Sequence, residues 1–290
     1  MRRSRGFTLI ELVVTIVLAG VLSLAVMQFI SAPVDAYVSQ SRRAALVDEA
    51  QLAIRRIAGD VRSAVPNSVR VGCSGRCVEL LHAFSGARYR ASPPGDELSF
   101  LPADADDRFE VLGPLNPVAG LGTSGSANAC TEGLAACVVI YNTGTAGTNV
   151  WAADNAATLR AIGGTPLLVQ FVNSGFSSGL PAFPASSPEQ RFYLADTAIT
   201  YLCDPSTGTL RRYQGYSHAA SQSAVDTHAE LVGRSNPAEH ALLATRVSQC
   251  TFRFTPGTAT RRGILGLRLS LSEAGERITL QQQTHVDNLP

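Results

Sequence analysis

The stretch Arg5-Gly6-Phe7-Thr8-Leu9-Ile10-Glu11-Leu12 begins a long apolar run near the start of the 290-residue chain. Arg2 and Arg3 also precede the run, and Glu11 is the only charged residue between Phe7 and Ile30. As an α-helix the run would be about 36 Å long at ~1.5 Å per residue, which is enough to cross the hydrocarbon core of a membrane. A carboxylate at that depth costs roughly 2.5–3.5 kcal/mol, so we expect Glu11 to have a function.

Three kinds of amino-terminal segment could give this run. A secretory signal peptide has a shorter apolar stretch, of roughly 7–15 residues, followed by a small-residue cleavage site. Here the run is longer, and polar residues and Pro33 follow it. An ordinary membrane anchor would leave Glu11 incidental. The third kind agrees best, because Gly6-Phe7-Thr8-Leu9-Ile10-Glu11 resembles the class III leader and N-methylation signature of type IV pilins and pseudopilins.

The resemblance implies a defined processing route. In that family a prepilin peptidase cuts after the glycine, here Gly6, and the new amino terminus, here Phe7, is methylated. The apolar helix remains as an inner-membrane anchor and later packs in the core of a filament. The arginines before the run agree with this orientation, since they hold the amino end in the cytoplasm and leave the rest periplasmic. Glu11 would then pair with the charged amino terminus of a neighbouring subunit, which would offset the cost of its burial.

The chain has six cysteines, and an even number after a single membrane anchor is typical of disulfides formed in an oxidising compartment. An alternative is a zinc site at Cys73, Cys77 and the nearby His82. No second compact Cys/His pair follows at the spacing of a zinc finger, so disulfides are favoured and no metal is expected. Six cysteines allow fifteen connectivities. The pairing that we favour is Cys73–Cys77, Cys130–Cys137 and Cys203–Cys250.

The pattern becomes amphipathic after the apolar run. Apolar residues recur every three or four positions, at Leu46, Ala50, Ala53, Ile54, Ile57 and Val61. We predict that a helix over residues 31–65 continues the membrane helix over 7–30, with a kink at Pro33 and an end at Pro66-Asn67. Its apolar stripe must be covered by another part of the protein.

The charges of this helix do not indicate a nucleic-acid site. The pairs Arg42-Arg43 and Arg55-Arg56 are interspersed with Asp48, Glu49 and Asp60, which is typical of a solvated helix face. The formal net charge of +1 includes the three arginines of the leader, residues 1–6, so the processed chain would be at about −2. We therefore expect no nucleic-acid partner.

Residues 66–290 are predicted to form a β-rich, antiparallel head, which makes the fold class α+β. Turn residues separate short strand-like runs, namely Val78–His82, Val138–Tyr141, Leu167–Val172, Arg191–Leu194 and Ile199–Cys203. The last three runs alternate apolar and polar residues and predict an antiparallel meander, over Ser248–Phe254, Gly266–Leu271 and Arg277–His285. Residues 112–128 and 173–189 are rich in Gly, Ser, Ala and Pro and are predicted to be loops.

Catalytic and cofactor motifs are weak in this sequence. The glycines of residues 120–125 match a dinucleotide fingerprint formally, but no strand precedes them and no helix follows. Asp104 to Asp107 lack the glycine and glutamate of a calcium loop. The five histidines are scattered along the chain and are interpreted as surface or packing residues. We predict no enzymatic activity and no cofactor; a membrane-anchored periplasmic enzyme remains an alternative.

Further segments of the chain sharpen the resemblance. Residues 41–48, 53–57 and 66–70, and the carboxyl end at 247–252 and 285–288, look like the MshO-type family of mannose-sensitive haemagglutinin (MSHA) pilus biogenesis. This resemblance implies a minor pilin-like subunit whose partners are major and minor pilins, the prepilin peptidase and the inner-membrane assembly platform. The nearest alternative is a minor pseudopilin of a type II secretion system, which has the same leader and plan, and a competence or twitching pilus subunit comes next.

Overall fold

A long helix, α1, extends from Leu9 to Arg62 in the computed structural model. The structure describes residues 6–101, 104, 106–115, 119–173, 183–234, 236–258, 261–287 and 289. Residues 1–5 of the predicted leader lie outside the described residues, as do 116–118 and 174–182 of the two predicted loops.

α1 is one uninterrupted helix that includes Pro33. A proline inside a helix removes one backbone donor, but here it does not divide the element. α1 ends at Arg62, before the predicted end at Pro66-Asn67, because the following residues bond to the sheet. The Ser63 carbonyl accepts from the Ala83 N–H at 2.8 Å, and the Val65 N–H donates to the Leu81 carbonyl at 2.8 Å.

Twelve strands follow α1 within the described residues, and all their pairings are antiparallel. They are β1 (Arg70–Gly72), β2 (Cys77–Tyr89), β3 (Arg108–Leu112), β4 (Cys137–Ile140), β5 (Ala156–Gly163), β6 (Leu168–Phe171), β7 (Arg191–Asp204), β8 (Thr209–Gln214), β9 (Glu239–Ala244), β10 (Val247–Thr255), β11 (Ile264–Glu273) and β12 (Glu276–His285). A short helix, α2 (His228–Val232), precedes β9. The predicted α+β class with an antiparallel β-rich head is thus confirmed.

The larger sheet closes on itself. Its order is β1-β2-β3-β6-β5-β4-β7-β8-β9, and β2 also pairs with β7. The six strands from β2 through β3, β6, β5 and β4 to β7 therefore form a closed ring, which we call the barrel. Its interior contains Phe109, Phe171 and Phe192, and the rings of Phe109 and Phe192 meet edge to face with centroids 4.9 Å apart. Closure removes free strand edges, as it does in other small barrels.

The carboxyl-terminal half of α1 packs into a separate core. Its predicted apolar stripe is buried at every position, and it contacts residues of both sheets, including Tyr201 on β7 and Leu269 on β11. Burying one Leu, Ile or Val side chain contributes about 1.5–3 kcal/mol. The helix is therefore the element on which the larger sheet and the β10-β11-β12 sheet meet. A third core surrounds Trp151 and Tyr216.

The strands agree with the sequence prediction in one region and differ in another. β10, β11 and β12 form the predicted meander, and the β11–β12 turn has positive φ at Ala274 (48°) and Gly275 (86°), as a tight hairpin requires. In contrast, Arg191–Leu194 and Ile199–Cys203 are not separate strands, since both lie in β7. One end of β7 pairs with β4 in the barrel, and the other end pairs with β8.

Candidate assembly site

The start of α1 contains the predicted processing motif. Thr8 is the N-cap of the helix, and its side chain accepts a hydrogen bond from the Glu11 N–H at 3.4 Å. Gly6 and Phe7 precede the cap outside the helix and are exposed, with Phe7 78% exposed. A Cβ added at Gly6 would meet no atom within 4 Å. Gly6 is therefore open to an approaching protein.

Glu11 lies in the first turn of α1, where its carboxylate is exposed. A negative charge at this end of a helix is favoured by the helix dipole, by about 0.3–1 kcal/mol at an exposed site. Among the described residues no salt bridge involves Glu11. Its carboxylate is thus available to a positive charge on another molecule.

The apolar part of α1 is not covered by any of the described residues of the chain. The stretch Leu9–Met27 is long and apolar enough to cross a membrane, with a mean hydropathy of 2.6, and none of it is buried. Leu9, Phe29 and Met27 are exposed to 82%, 83% and 72%. Such a continuous apolar surface requires lipid or other apolar helices around it. The amino-terminal half of α1 is therefore built for a non-aqueous environment.

Ion pairs hold the other half of α1 on the head. Arg43 pairs with Glu276 on β12 at 2.7 Å. Further along α1, Glu49 accepts hydrogen bonds from the Thr245 backbone N–H and from the Thr245 hydroxyl, and it forms a salt bridge with Arg246. Arg246 also forms a salt bridge with Glu273 at 2.6 Å. Burial of the Glu49 carboxylate opposes ionisation, but these hydrogen bonds and the Arg246 charge outweigh it and lower its pKa. These contacts fix the angle between helix and head.

Asp60 is the buried carboxylate among the residues of α1 that form ion pairs with the head. The Asp60 carboxylate accepts hydrogen bonds from the Tyr201 hydroxyl at 2.5 Å and from Arg212 Nε at 2.6 Å. Burial, followed by the adjacent Asp60 charge, raises the pKa of the Tyr201 hydroxyl. The prediction that Asp60 lies on a solvated face is therefore wrong. It fails because the apolar stripe of α1 is wide, and Asp60 lies beside Ile57 and Val61 on the side that faces β7 and β8.

Three disulfides join the same cysteine pairs that the sequence analysis favoured: Cys73–Cys77, Cys130–Cys137 and Cys203–Cys250. The first two close short loops. The third joins β7 of the larger sheet to β10 of the smaller one, beside the core that receives α1. Cys73 and Cys77 are therefore not zinc ligands, and His82 pairs instead with Asp196 at 2.7 Å.

The structure brings some of the scattered histidines together. His228 on α2 and His240 on β9 have ring centroids 5.2 Å apart, and the Tyr213 hydroxyl is 2.9 Å from His228 Nδ1. His218 packs edge to face on Trp151, and burial, with nearby arginine charges, lowers the pKa of His218 to about 4. No group of three or more metal-binding side chains occurs in the part of the chain that the structure describes.

The acidic residues between 104 and 107 have a local role. The Ser99 backbone N–H donates to the Asp106 carboxylate at 2.8 Å, and the Ser99 hydroxyl also contacts Asp104. Ala105 lies outside the described residues. These bonds hold Ser99 next to Asp106, which precedes β3.

Comparison with known proteins identifies the amino-terminal segment. The family described as the prokaryotic N-terminal methylation motif matches residues 1–27. This match supports a type IV pilin-like protein with a role in type IV pilus or pseudopilus systems, and it indicates a structural subunit rather than an enzyme. It implies processing by a prepilin peptidase and assembly with other pilins, and together with the exposed apolar helix it indicates membrane anchoring. No curated protein and no solved structure matches the chain.

The residues that hold α1 on the head were not predicted from the sequence. Arg212 and Arg246 are the partners of Asp60 and Glu49, and they lie about 150–200 positions away along the chain (separations of 152 and 197). No local pattern links residues so far apart. The only available signal was the presence of carboxylates next to the apolar stripe of an amphipathic helix.

Proposed function

We propose that this protein is a minor pilin-like subunit of an MSHA-type type IV pilus, of the MshO type, which is incorporated in the filament or primes its assembly. The observation on which the proposal rests is the methylation motif at the head of a fully exposed apolar helix. The apolar surface of such a helix is covered first by lipid in the membrane and then by the helices of other subunits. In this proposal the head provides the surface that contacts other subunits, and the helix attaches the protein to the membrane and then to the filament.

The proposed route starts with cleavage after Gly6 and methylation of Phe7. The arginines at positions 2, 3 and 5 hold the amino end in the cytoplasm, so the head would lie in the periplasm, anchored to the inner membrane. After cleavage, the amino group of Phe7 on one subunit would pair with Glu11 on its neighbour. The pairing favours one register between adjacent helices, because a displaced helix would leave the carboxylate unpaired in an apolar environment.

Processing is tested with Gly6→Val. A branched side chain at Gly6 would obstruct a peptidase that approaches the open backbone. We expect mass spectrometry of the purified variant to show Met1 retained, whereas the wild type begins at methylated Phe7. A variant that still began at methylated Phe7 would contradict the proposed processing site.

Assembly is tested with Glu11→Leu, and Asp35→Leu is the matched control. Both variants remove one exposed carboxylate from α1, but Asp35 lies outside the apolar span. We expect Glu11→Leu to be cleaved and inserted normally, since insertion becomes easier without the charge. Its crosslinking to other pilins and the number of filaments should fall, while Asp35→Leu should match the wild type. If cells with Glu11→Leu were fully piliated and crosslinking were unchanged, Glu11 would have no role in assembly.

The crosslinked partners also distinguish the filament systems. If MSHA-type pilins co-purify with the protein, the proposal stands. If the partners are pseudopilins of a type II secretion system, the shared leader and plan are retained but the system is reassigned.

A further inference from the structure

The outward face of the β10-β11-β12 sheet contains no carboxylate. The opposite face of this sheet packs on α1, so the outward face points away from the helix. The strand register aligns two rows of side chains across this face. The rows are Thr251, Arg268 and Gln281, and Arg253, Gly266 and Gln283.

Gly266 forms the floor of a groove on this face. The groove has a volume of about 600 Å³ and is lined by both rows, which is within the range of small-ligand sites. A Cβ at Gly266 would meet only the Arg253 carbonyl oxygen, at 3.7 Å, so a larger side chain would fit the fold. A glycine inside a strand weakens the strand and often marks close approach of a ligand. The groove therefore exists because a side chain is absent here, at some cost in stability.

The two arginines beside the groove are unpaired within the part of the chain that the structure describes. Among the described residues neither Arg253 nor Arg268 makes a side-chain hydrogen bond or a salt bridge, and both are exposed. They are diagonal neighbours on adjacent strands, where long side chains come within reach and like charges repel. Glu273 and Glu276, at the end of the same sheet, are already paired with Arg246 and Arg43. An anion between the two guanidinium groups would relieve this repulsion.

We propose that this groove binds an acidic saccharide, with its carboxylate or sulfate group held by Arg253 and Arg268. A guanidinium group matches a planar or tetrahedral oxyanion with two parallel hydrogen bonds. The amides of Gln281 and Gln283 can both donate to and accept from sugar hydroxyls. The groove has no aromatic lining residue. It therefore lacks the stacking platform of a single-stranded nucleic-acid site and the aromatic anchors typical of a protein interface.

The test uses the full-length chain in detergent micelles and tetragalacturonate as the probe, titrated by calorimetry. Fully methyl-esterified tetragalacturonate has the same sugar backbone without charge and should bind at least about tenfold more weakly. Arg253→Gln and Arg268→Gln should each weaken binding at least about tenfold, which is the lower end of the value of a charge-assisted hydrogen bond. Arg277→Gln is the control, because Arg277 is an exposed arginine of the same sheet that does not line the groove.

Gly266→Val separates the groove from overall folding. A β-branched residue suits a strand and its methyl groups would fill the floor, so the melting temperature should stay the same or rise while tetragalacturonate binding is lost. Retained binding in Gly266→Val, or equal losses in Arg253→Gln and Arg277→Gln, would overturn the proposal. Tighter binding of an eight-nucleotide thymidine oligomer or of a pentaglutamate peptide than of tetragalacturonate would also overturn it, by assigning the groove to nucleic acid or to an acidic protein segment.

Discussion

Asp60→Asn tests whether α1 is seated on the head by a buried charge. The substitution keeps the size of the side chain but removes the charge that faces Arg212 Nε at 2.6 Å. Both side chains are only 10% exposed, so this is a buried pair. Breaking such a pair from one side costs about 3–5 kcal/mol, whereas an exposed pair contributes about 0.2–1 kcal/mol. Arg212 keeps a contact with Gln214, which places our expectation at the lower end, about 3 kcal/mol.

The assay is urea unfolding of the full-length chain in detergent, followed by the fluorescence of Trp151, the only tryptophan, which is buried in the head. Asp48→Asn is the control, since Asp48 is an exposed carboxylate on the same helix, and it should change the free energy of unfolding by less than about 0.5 kcal/mol. Adding Arg212→Met to Asp60→Asn should recover most of the loss, because no unpaired buried charge remains. If Asp60→Asn cost under about 1 kcal/mol, like an exposed pair, the argument would be refuted.

Three further outcomes are expected. Replacing Cys203 and Cys250 by Ser opens a loop with a sequence separation of 47. Under oxidising conditions this should lower the free energy of unfolding by about 3–4 kcal/mol in the chain-entropy model. Equal unfolding midpoints of the variant and the wild type would contradict this prediction. The pKa of His218 is lowered to about 4, so the folded chain resists protonation and loses stability as the pH falls from about 6.5 to about 4. His218→Phe should remove on the order of 3 kcal/mol of that loss, and parallel pH profiles for both proteins would refute the assignment. Arg43→Gln, which breaks the exposed pair with Glu276, should cost under about 1 kcal/mol in the same unfolding assay, and a larger loss would mean that this pair is more deeply buried in solution.

The parts of the fold that the sequence predicts are those fixed by neighbouring residues. The stripe from Leu46 to Val61 has a helical period, and all its members are buried. The meander is predicted because its strands alternate in polarity and its second turn, Ala274-Gly275, needs two residues that tolerate positive φ. At the amino terminus, the glycine, the helix cap and the charge of the Gly6–Glu11 motif lie within a few positions of one another, so the motif can be recognised from the sequence.

The parts that the sequence does not predict depend on distant pairings. The barrel closes through β2 and β7, which are far apart along the chain, and a bulge near Ala83 shifts their register. Neither the closure nor the shift has a local signature. The burial of Asp60 also depends on a distant residue, because a carboxylate beside an apolar stripe can be buried only if another element brings a cation to it.

The barrel has a practical consequence for labelling the protein. Its interior and the core around α1 share no residue, although both use β2 and β7. The connection between β4 and β5 contains a tight turn in which Thr143 and Thr148 hydrogen bond to each other and Gly147 has open space around it. An epitope or a fluorescent tag inserted in that turn would report on the whole protein inside a living cell, while leaving untouched the helix by which the protein joins its neighbours.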